Sequence, residues 1–282
     1  MADRERTDDL ATDIRHQNVE HHDLDAPMYD ISHPNLRHLL ERRRMRKDMA
    51  TLEGLLADRD AVRAVDIGAG TGRLTLQFVR RGWNTTAVDS SEGMTAILRG
   101  RYDRLARDRR GALQIVHANA EGFLAEAEGE FDLFAFSSVL HHLPDPLSIM
   151  RTCAERLAPG GCIYVTQEPM PAVGPAKTPA TQIVKVLDEI ARSPQQLYRQ
   201  IYRRARNLPR AKAGALVDVH VESGLDVAAM EEALAEAGVQ RRRFETYADR
   251  KTALIAWLDD RLFHTPGRYF RYVGQRQQQT TE

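Results

Sequence analysis

The chain is poor in the features that mark secreted, membrane-bound or nucleic-acid-binding proteins. Its 282 residues include only two cysteines, Cys153 and Cys162. That is too few for a disulfide framework, and their spacing is not that of a metal site, so a reducing, cytoplasmic setting is expected. No apolar run reaches the roughly 20 residues that span a bilayer, and the polar start of the chain has no apolar signal region. There is no net charge: 40 basic residues balance 40 acidic ones. No global field therefore draws the protein to nucleic acid or to a membrane. No internal repeat is visible. What remains is a chain long enough for one large domain with an added lobe, and its 42% hydrophobic content supports a real core.

Against this background one stretch carries chemistry: Ala64-Val65-Asp66-Ile67-Gly68-Ala69-Gly70-Thr71-Gly72. A short apolar strand, 62–67, runs into a turn with glycine at every second position, and a helical pattern follows. Such a turn lets a ligand lie on bare backbone, with the amides of the next helix pointing at it. The dinucleotide fingerprint is Gly-x-Gly-x-x-Gly. Here the third glycine comes one residue early, and Asp66 stands two places before the first. A carboxylate there repels a pyrophosphate but suits a cationic ligand with an ammonium and a sulfonium group. That description fits S-adenosylmethionine.

The strands that follow place further candidates. Strand 85–88 ends in Asp89, where an acid reaches ribose hydroxyls. Ser90, Ser91 and Glu92 open a helix whose Met94 is set to touch adenine or simply to pack. Strand 114–117 leads to Asn119 and Ala120; Asn119 is either an adenine partner or an Asx-turn residue. Strand 131–136 has few charges, as expected for a strand covered on both faces, and opens into Ser137 and the pair His141-His142. A helix to Ala158 is stopped by Pro159-Gly160-Gly161, and strand 162–167 ends at Glu168.

The blocks VDIGAGTG (65–72), AVDSSEGM (87–94), HANAEGF (117–123), FDLFAFSSVLHHLPDP (131–146) and LAPGGCIYV (157–165) resemble class I S-adenosylmethionine-dependent methyltransferases of the small-molecule type, which include the ubiquinone/menaquinone group. The resemblance covers roughly residues 60–170. It departs at Asn119, where relatives usually carry aspartate. It implies an α/β fold, a doubly wound, mostly parallel seven-stranded sheet whose last strand is antiparallel. It also implies an N-terminal segment folding over the cofactor, in which Tyr29 resembles the closing tyrosine. Gly68, Ala69 and Gly70 are then cofactor contacts.

Outside the core, residues 1–57 are read as a mobile segment and lid helix, 58–170 as the cofactor core, 171–217 as a helical insertion on the acceptor side, and 218–282 as completion of the sheet. Pro34 opens a long helix with Leu36, Leu39, Leu40, Met49, Leu52, Leu55 and Leu56 as its apolar stripe. Arg42, Arg43, Arg44, Arg46 and Lys47 lie mostly off the stripe, as a solvated face would. His16, His21, His22, Asp23 and Asp25 show no metal-ligand spacing, so no metal site is expected. The insertion has no acid from Ile190 to Val217 but seven basic residues. They form either a solvated face or a surface for an anionic acceptor. Asp226 caps a helix that Gly238 ends, and strands 239–247 and 269–273 follow.

The expected reaction is methyl transfer to a small-molecule acceptor, at a hydroxyl oxygen. His141 or His142 is the candidate base, with His141 preferred, because imidazole accepts a proton near neutrality. Glu168 and His220 are reserves, and Tyr198 and Tyr202 are acceptor-side candidates. Three other readings stay open. An RNA or protein methyltransferase would use the basic insertion, a non-catalytic protein would only hold the cofactor, and a nicotinamide enzyme is opposed by Asp66 and the shortened glycine spacing.

Overall fold

The computed structural model describes residues 38–106, 110–171, 224–248 and 268–278 continuously, with shorter pieces between 19 and 33, 182 and 204, and 253 and 262. Seven strands form one sheet in the order β3-β2-β1-β4-β5-β7-β6. They are β1 (Arg63–Ile67), β2 (Asn84–Asp89), β3 (Leu113–His117), β4 (Phe131–Ser137), β5 (Leu157–Pro169), β6 (Val239–Tyr247) and β7 (Tyr269–Arg276). The strand sequence leaves β1 toward β3 and returns through β4, so the order reverses between β1 and β4. Only β7 runs antiparallel to its neighbours, pairing β5 on one side and β6 on the other.

The α-helices that accompany the strands include α1 (Tyr29–Ser32), α2 (Leu39–Leu55), α3 (Thr75–Val79), α4 (Glu92–Asp103), α5 (Ala120–Glu126), α6 (Pro146–Glu155), α7 (Val227–Glu236) and α8 (Ala253–Leu258). Both faces of the sheet are covered, and the strands alternate accordingly. On β4, Phe134 and Phe136 pack with Phe123, Met150 and Leu234 of α5, α6 and α7. Leu133 and Ala135 face the other way, against Met49 and Leu52 of α2 and Phe78 of α3. Cys153 and Cys162 are free thiols inside these two layers, on α6 and β5.

Helix starts follow local chemistry. The side chains of Ser91, Asn119, Asp145 and Asp226 accept backbone amides of the first turns of α4, α5, α6 and α7, each satisfying a donor the helix leaves orphaned. Two expected boundaries shift. The helix expected from Pro34 begins at Leu39, capped by His38 Nδ1, which accepts the Glu41 amide at 3.1 Å; positions 34–37 lie outside the described residues. Leu39, expected on the apolar stripe, is 65% exposed. The helix expected to reach Ala158 ends at Glu155, because Leu157 already pairs with Phe131 and starts β5 ahead of the prolyl-glycyl-glycine stop.

The packing of α2 was not legible in its apolar stripe. Glu41 and Asp48, both buried, ion-pair with Arg271 of β7, which is itself only 1% exposed. Tyr164 Oη on β5 donates to Asp48 Oδ2 at 2.8 Å. Burial pushes against the Glu41 charge, but Arg73 and Arg271 outweigh it and hold its carboxyl below the usual range. The network fastens α2 across β5 and β7.

Candidate functional site

A cavity of about 550 Å³ opens at the carboxyl ends of β1, β2 and β4, beside the reversal of strand order. That is where open α/β sheets bind ligands. Its floor is the glycine loop. Gly68 N donates to Val88 O at 2.9 Å, and Gly70 N donates to Asp89 Oδ2 at 2.7 Å, so β2 sets the path of the turn. Gly68, Gly70 and Gly72 all have positive φ, the region that glycine tolerates best. The three differ in what surrounds them. A methyl group at Gly68 would overlap Val139, and one at Gly72 would overlap Leu98, whereas one at Gly70 meets no protein atom within 4 Å. Gly70 is therefore the point where backbone faces the open cradle.

The walls bring most of the expected residues together. Tyr29, Gly68, Gly70, Asp89, Ser90, Met94, Asn119, Ala120, Ser137 and His142 all line the cavity. Asp89 keeps both oxygens near backbone donors, Oδ1 accepting Ser91 N at 2.8 Å, and burial pushes its carboxyl up. The oxygen of Asn119 is used as a helix cap, accepting Gly122 N at 2.7 Å, while the residue stays on the wall. Ser137 Oγ accepts Arg73 Nη1 at 3.3 Å, and Arg73 also pairs with Glu41.

Other expected positions are set back or lie elsewhere. Ala69 is not on the wall; it packs with Leu76, Val79, Ala87 and Leu98. Asp66 sits behind the loop, 1% exposed, with Oδ2 accepting Thr75 N at 2.9 Å and Thr75 Oγ1 at 2.5 Å. Burial raises its carboxyl to about 7. Its Oδ1 is buried without a hydrogen-bond partner. Glu168 does not face an acceptor. Fully buried, it takes the amides of Val139 at 2.6 Å and Leu140 at 2.9 Å, and meets His141 Nδ1 at 2.7 Å. His141 is accordingly turned inward, whereas His142 lies on the cavity wall. Tyr198, Tyr202 and His220 lie outside the described residues.

Sequence reasoning missed the fasteners of the N-terminal segment. Asp23 Oδ1 accepts Ser91 Oγ at 2.5 Å and Gly93 N at 3.0 Å at the start of α4. Asp30 pairs with Arg101 and accepts Thr71 Oγ1 at 3.1 Å. The His22 ring lies 5.3 Å from that of His142. These contacts join residues about 40 to 120 positions apart, which spacing alone does not reveal.

Two observations bear on whether an adenosyl amino acid fits. The cradle at Gly70 is one that a single Cβ would begin to fill, and the loop keeps an unpartnered buried carboxylate oxygen, on Asp66, toward which a cation is attracted. The residues present thus suit a ligand of mixed charge better than a pyrophosphate.

The methyltransferase domain family matches residues 65–165. A ubiquinone biosynthesis O-methyltransferase of Caulobacter sp. (strain K31) is 39% identical over 108 residues, 38% of this chain and 40% of that protein. Its counterpart from Aromatoleum aromaticum (strain DSM 19018 / LMG 30748 / EbN1) is 33% identical over 102 residues, 36% of this chain and 42% of that one. The chain therefore spans about two fifths of the length of these curated relatives. Among solved structures, the cyclase SpnF superposes with a TM-score of 0.50 at 15% identity, covering 82% of this chain and 80% of that one, a likeness of fold. The glycine loop and the central strands lie inside this likeness: residues 65–165 match the methyltransferase domain family.

Proposed function

We propose that the protein transfers a methyl group from S-adenosylmethionine to a hydroxyl oxygen of a small-molecule acceptor, in the cytoplasm. The observation that carries this reading is the convergence of the Gly68–Gly70 loop, Asp89, Tyr29 and His142 on one cavity at the strand-order reversal. Gly68 and Gly70 would hold the amino-acid end, with the Asp66 carboxylate behind it, Asp89 the ribose, and Met94, Asn119 and Ala120 the adenine. The bound cofactor supplies an activated methyl group. The protein's part is alignment, which is worth up to ~7–11 kcal/mol in favourable systems, and removal of the hydroxyl proton.

His142, which shares the wall with His22 and His117, is assigned that proton because it lies on the turn after β4, and an acid–base residue so placed typically contributes about 10²–10⁴-fold. The Glu168–His141 pair is a positioning element: it fixes the turn Leu140–His142 that carries His142. In this reading Tyr198, Tyr202 and His220 belong to the acceptor side, and the acceptor is anionic. Residues 171–217 form its insertion, between the core 58–170 and the closing segment 218–282, with 1–57 as the covering segment.

The test has two stages. Calorimetry of the full chain with S-adenosylhomocysteine is expected to give one site with micromolar or tighter affinity; absence of binding would remove the proposal. A panel of phenolic and aliphatic hydroxy acids is then assayed for release of S-adenosylhomocysteine. Turnover on an amine or carbon acid alone, with none on oxygen, would overturn the choice of acceptor atom.

A further inference from the structure

A second cavity among the described residues, about 890 Å³, lies on the other side of Tyr29, which lines both. Six arginines line it, against two carboxylates, Asp30 and Glu41. Both carboxylates are committed: Asp30 to Arg101, and Glu41 to Arg73 and Arg271. Arg42, Arg46, Arg80 and Arg104 remain, and among the described residues no carboxylate lies within ion-pairing distance of any of them.

Helix electrostatics explains half of this arrangement. Arg80 and Arg104 are the C-cap residues of α3 and α4, where a cation meets the negative end of the helix dipole. It does not explain Arg42 and Arg46. They stand one turn apart on the same face of α2, far from its C-terminus, and like charges at that spacing repel. Nor can a guanidinium shed its proton to relieve the repulsion. Both side chains are exposed, so water screens the repulsion in the free protein, and an anion held between them would remove it. Leu39, Met45, Leu76 and Leu105 supply an apolar wall in the same cavity, so the site suits a compact molecule more than bare solvent ions.

We propose that this arginine-lined groove is a second ligand site, taking a small molecule with two or more phosphate or carboxylate groups on a short apolar body. Arg42 and Arg46 of α2 grip it from one side, and Arg80 and Arg104 from the other. Arg73 and Arg101, neutralised by Glu41 and Asp30, shape the floor. The basic face of α2 is thus a binding wall in its Arg42 and Arg46 positions, where its sequence alone suggested solvated surface. The proposal stands independently of methyl transfer, since it concerns different side chains and a different cavity.

The test is calorimetry of the full chain with inorganic pyrophosphate and with citrate as probes, at near-physiological salt. At least one probe is expected to bind one-to-one with a Kd of about 1 mM or below. The pair that binds identifies the anion, phosphate or carboxylate. The double variants Arg42→Ala/Arg46→Ala and Arg80→Ala/Arg104→Ala are each expected to weaken that binding by about tenfold or more, with S-adenosylhomocysteine affinity unchanged; the second pair is also expected to melt slightly lower, because both residues cap helix C-termini. Lack of binding of both probes at about 10 mM overturns the proposal, as does binding that survives both double variants. Tighter capture of a uridine dodecanucleotide than of either probe, lost in the same variants, also overturns it and reassigns the groove to RNA. Loss of S-adenosylhomocysteine binding by the wild-type chain would instead strike the methyltransferase reading alone.

Discussion

Glu168 holds His141 and the turn around it with one carboxylate: Oε2 meets His141 Nδ1 at 2.7 Å, while Oε1 accepts the amides of Val139 and Leu140. Both partners are buried. Removing the carboxylate leaves several buried N–H groups unpaired. Glu168→Ala is expected to lower stability by about 3 kcal/mol or more, measured by urea unfolding. Glu168→Gln, which retains one acceptor oxygen, is expected to lose less stability than alanine. An alanine variant as stable as wild type would show that the turn does not rely on Glu168.

The glycine loop separates fold from ligand. Gly68→Ala forces a Cβ into Val139, whereas Gly70→Ala meets open space but keeps a positive φ. Gly70→Ala is expected to cost about 1–2 kcal/mol from left-handed backbone strain and to weaken S-adenosylhomocysteine binding by about tenfold. Gly68→Ala is expected to melt markedly lower. Calorimetry and thermal melting on the two variants separate the effects; equal losses of both properties would refute the distinction.

His142 lines the cavity and His141 does not. His142→Ala is expected to lower kcat by about 10²-fold or more with cofactor affinity retained. His141→Ala is expected to reduce stability as well as rate, through loss of its contact with Glu168. Rate profiles against pH add a second readout: the acid limb of His142→Ala should differ in shape from that of wild type. A His142→Ala enzyme of wild-type rate would exclude it as the base.

Burial raises the Asp66 carboxyl from its ordinary 3.8 to about 7. The folded chain therefore binds that proton more tightly than the unfolded chain does. The resulting stabilisation is complete below about pH 4 and is lost as pH rises through about 7. Three pH units set its upper size at about 4 kcal/mol. Unfolding free energy should thus decline from pH 5 to pH 8, and Asp66→Asn should remove much of that slope. Some slope should remain, because burial also raises Asp89. An asparagine variant with the full wild-type slope would place its source elsewhere.

Local signals carried the sheet well. Strand β6 was legible as 239–247 because a capped helix and Gly238 deliver the chain into it, and the antiparallel last strand followed from family resemblance. The cofactor wall was readable for a related reason: Gly70, Asp89, Asn119 and Ser137 each lie at or just past the end of a strand, and strand ends share one edge of a parallel sheet. What could not be read were side-chain commitments made across the fold. Asp66 looked like a ligand contact because its position is right, yet Thr75 occupies one of its oxygens. Glu168 occupies a strand end too, but its side chain turns inward to orphaned amides. Nothing near Glu41 or Asp48 in sequence hints at their ion pairs with Arg271.

The Arg271 network carries a consequence for how the chain comes together. Arg271 lies more than 220 positions after the carboxylates it neutralises. Until β7 emerges from the ribosome, α2 carries Glu41 and Asp48 on a face with no guanidinium from that strand to receive them. A nascent chain stalled before β7 would hold β1 to β5 with α2 packed through Met49 and Leu52, but with Glu41 and Asp48 lacking the Arg271 guanidinium.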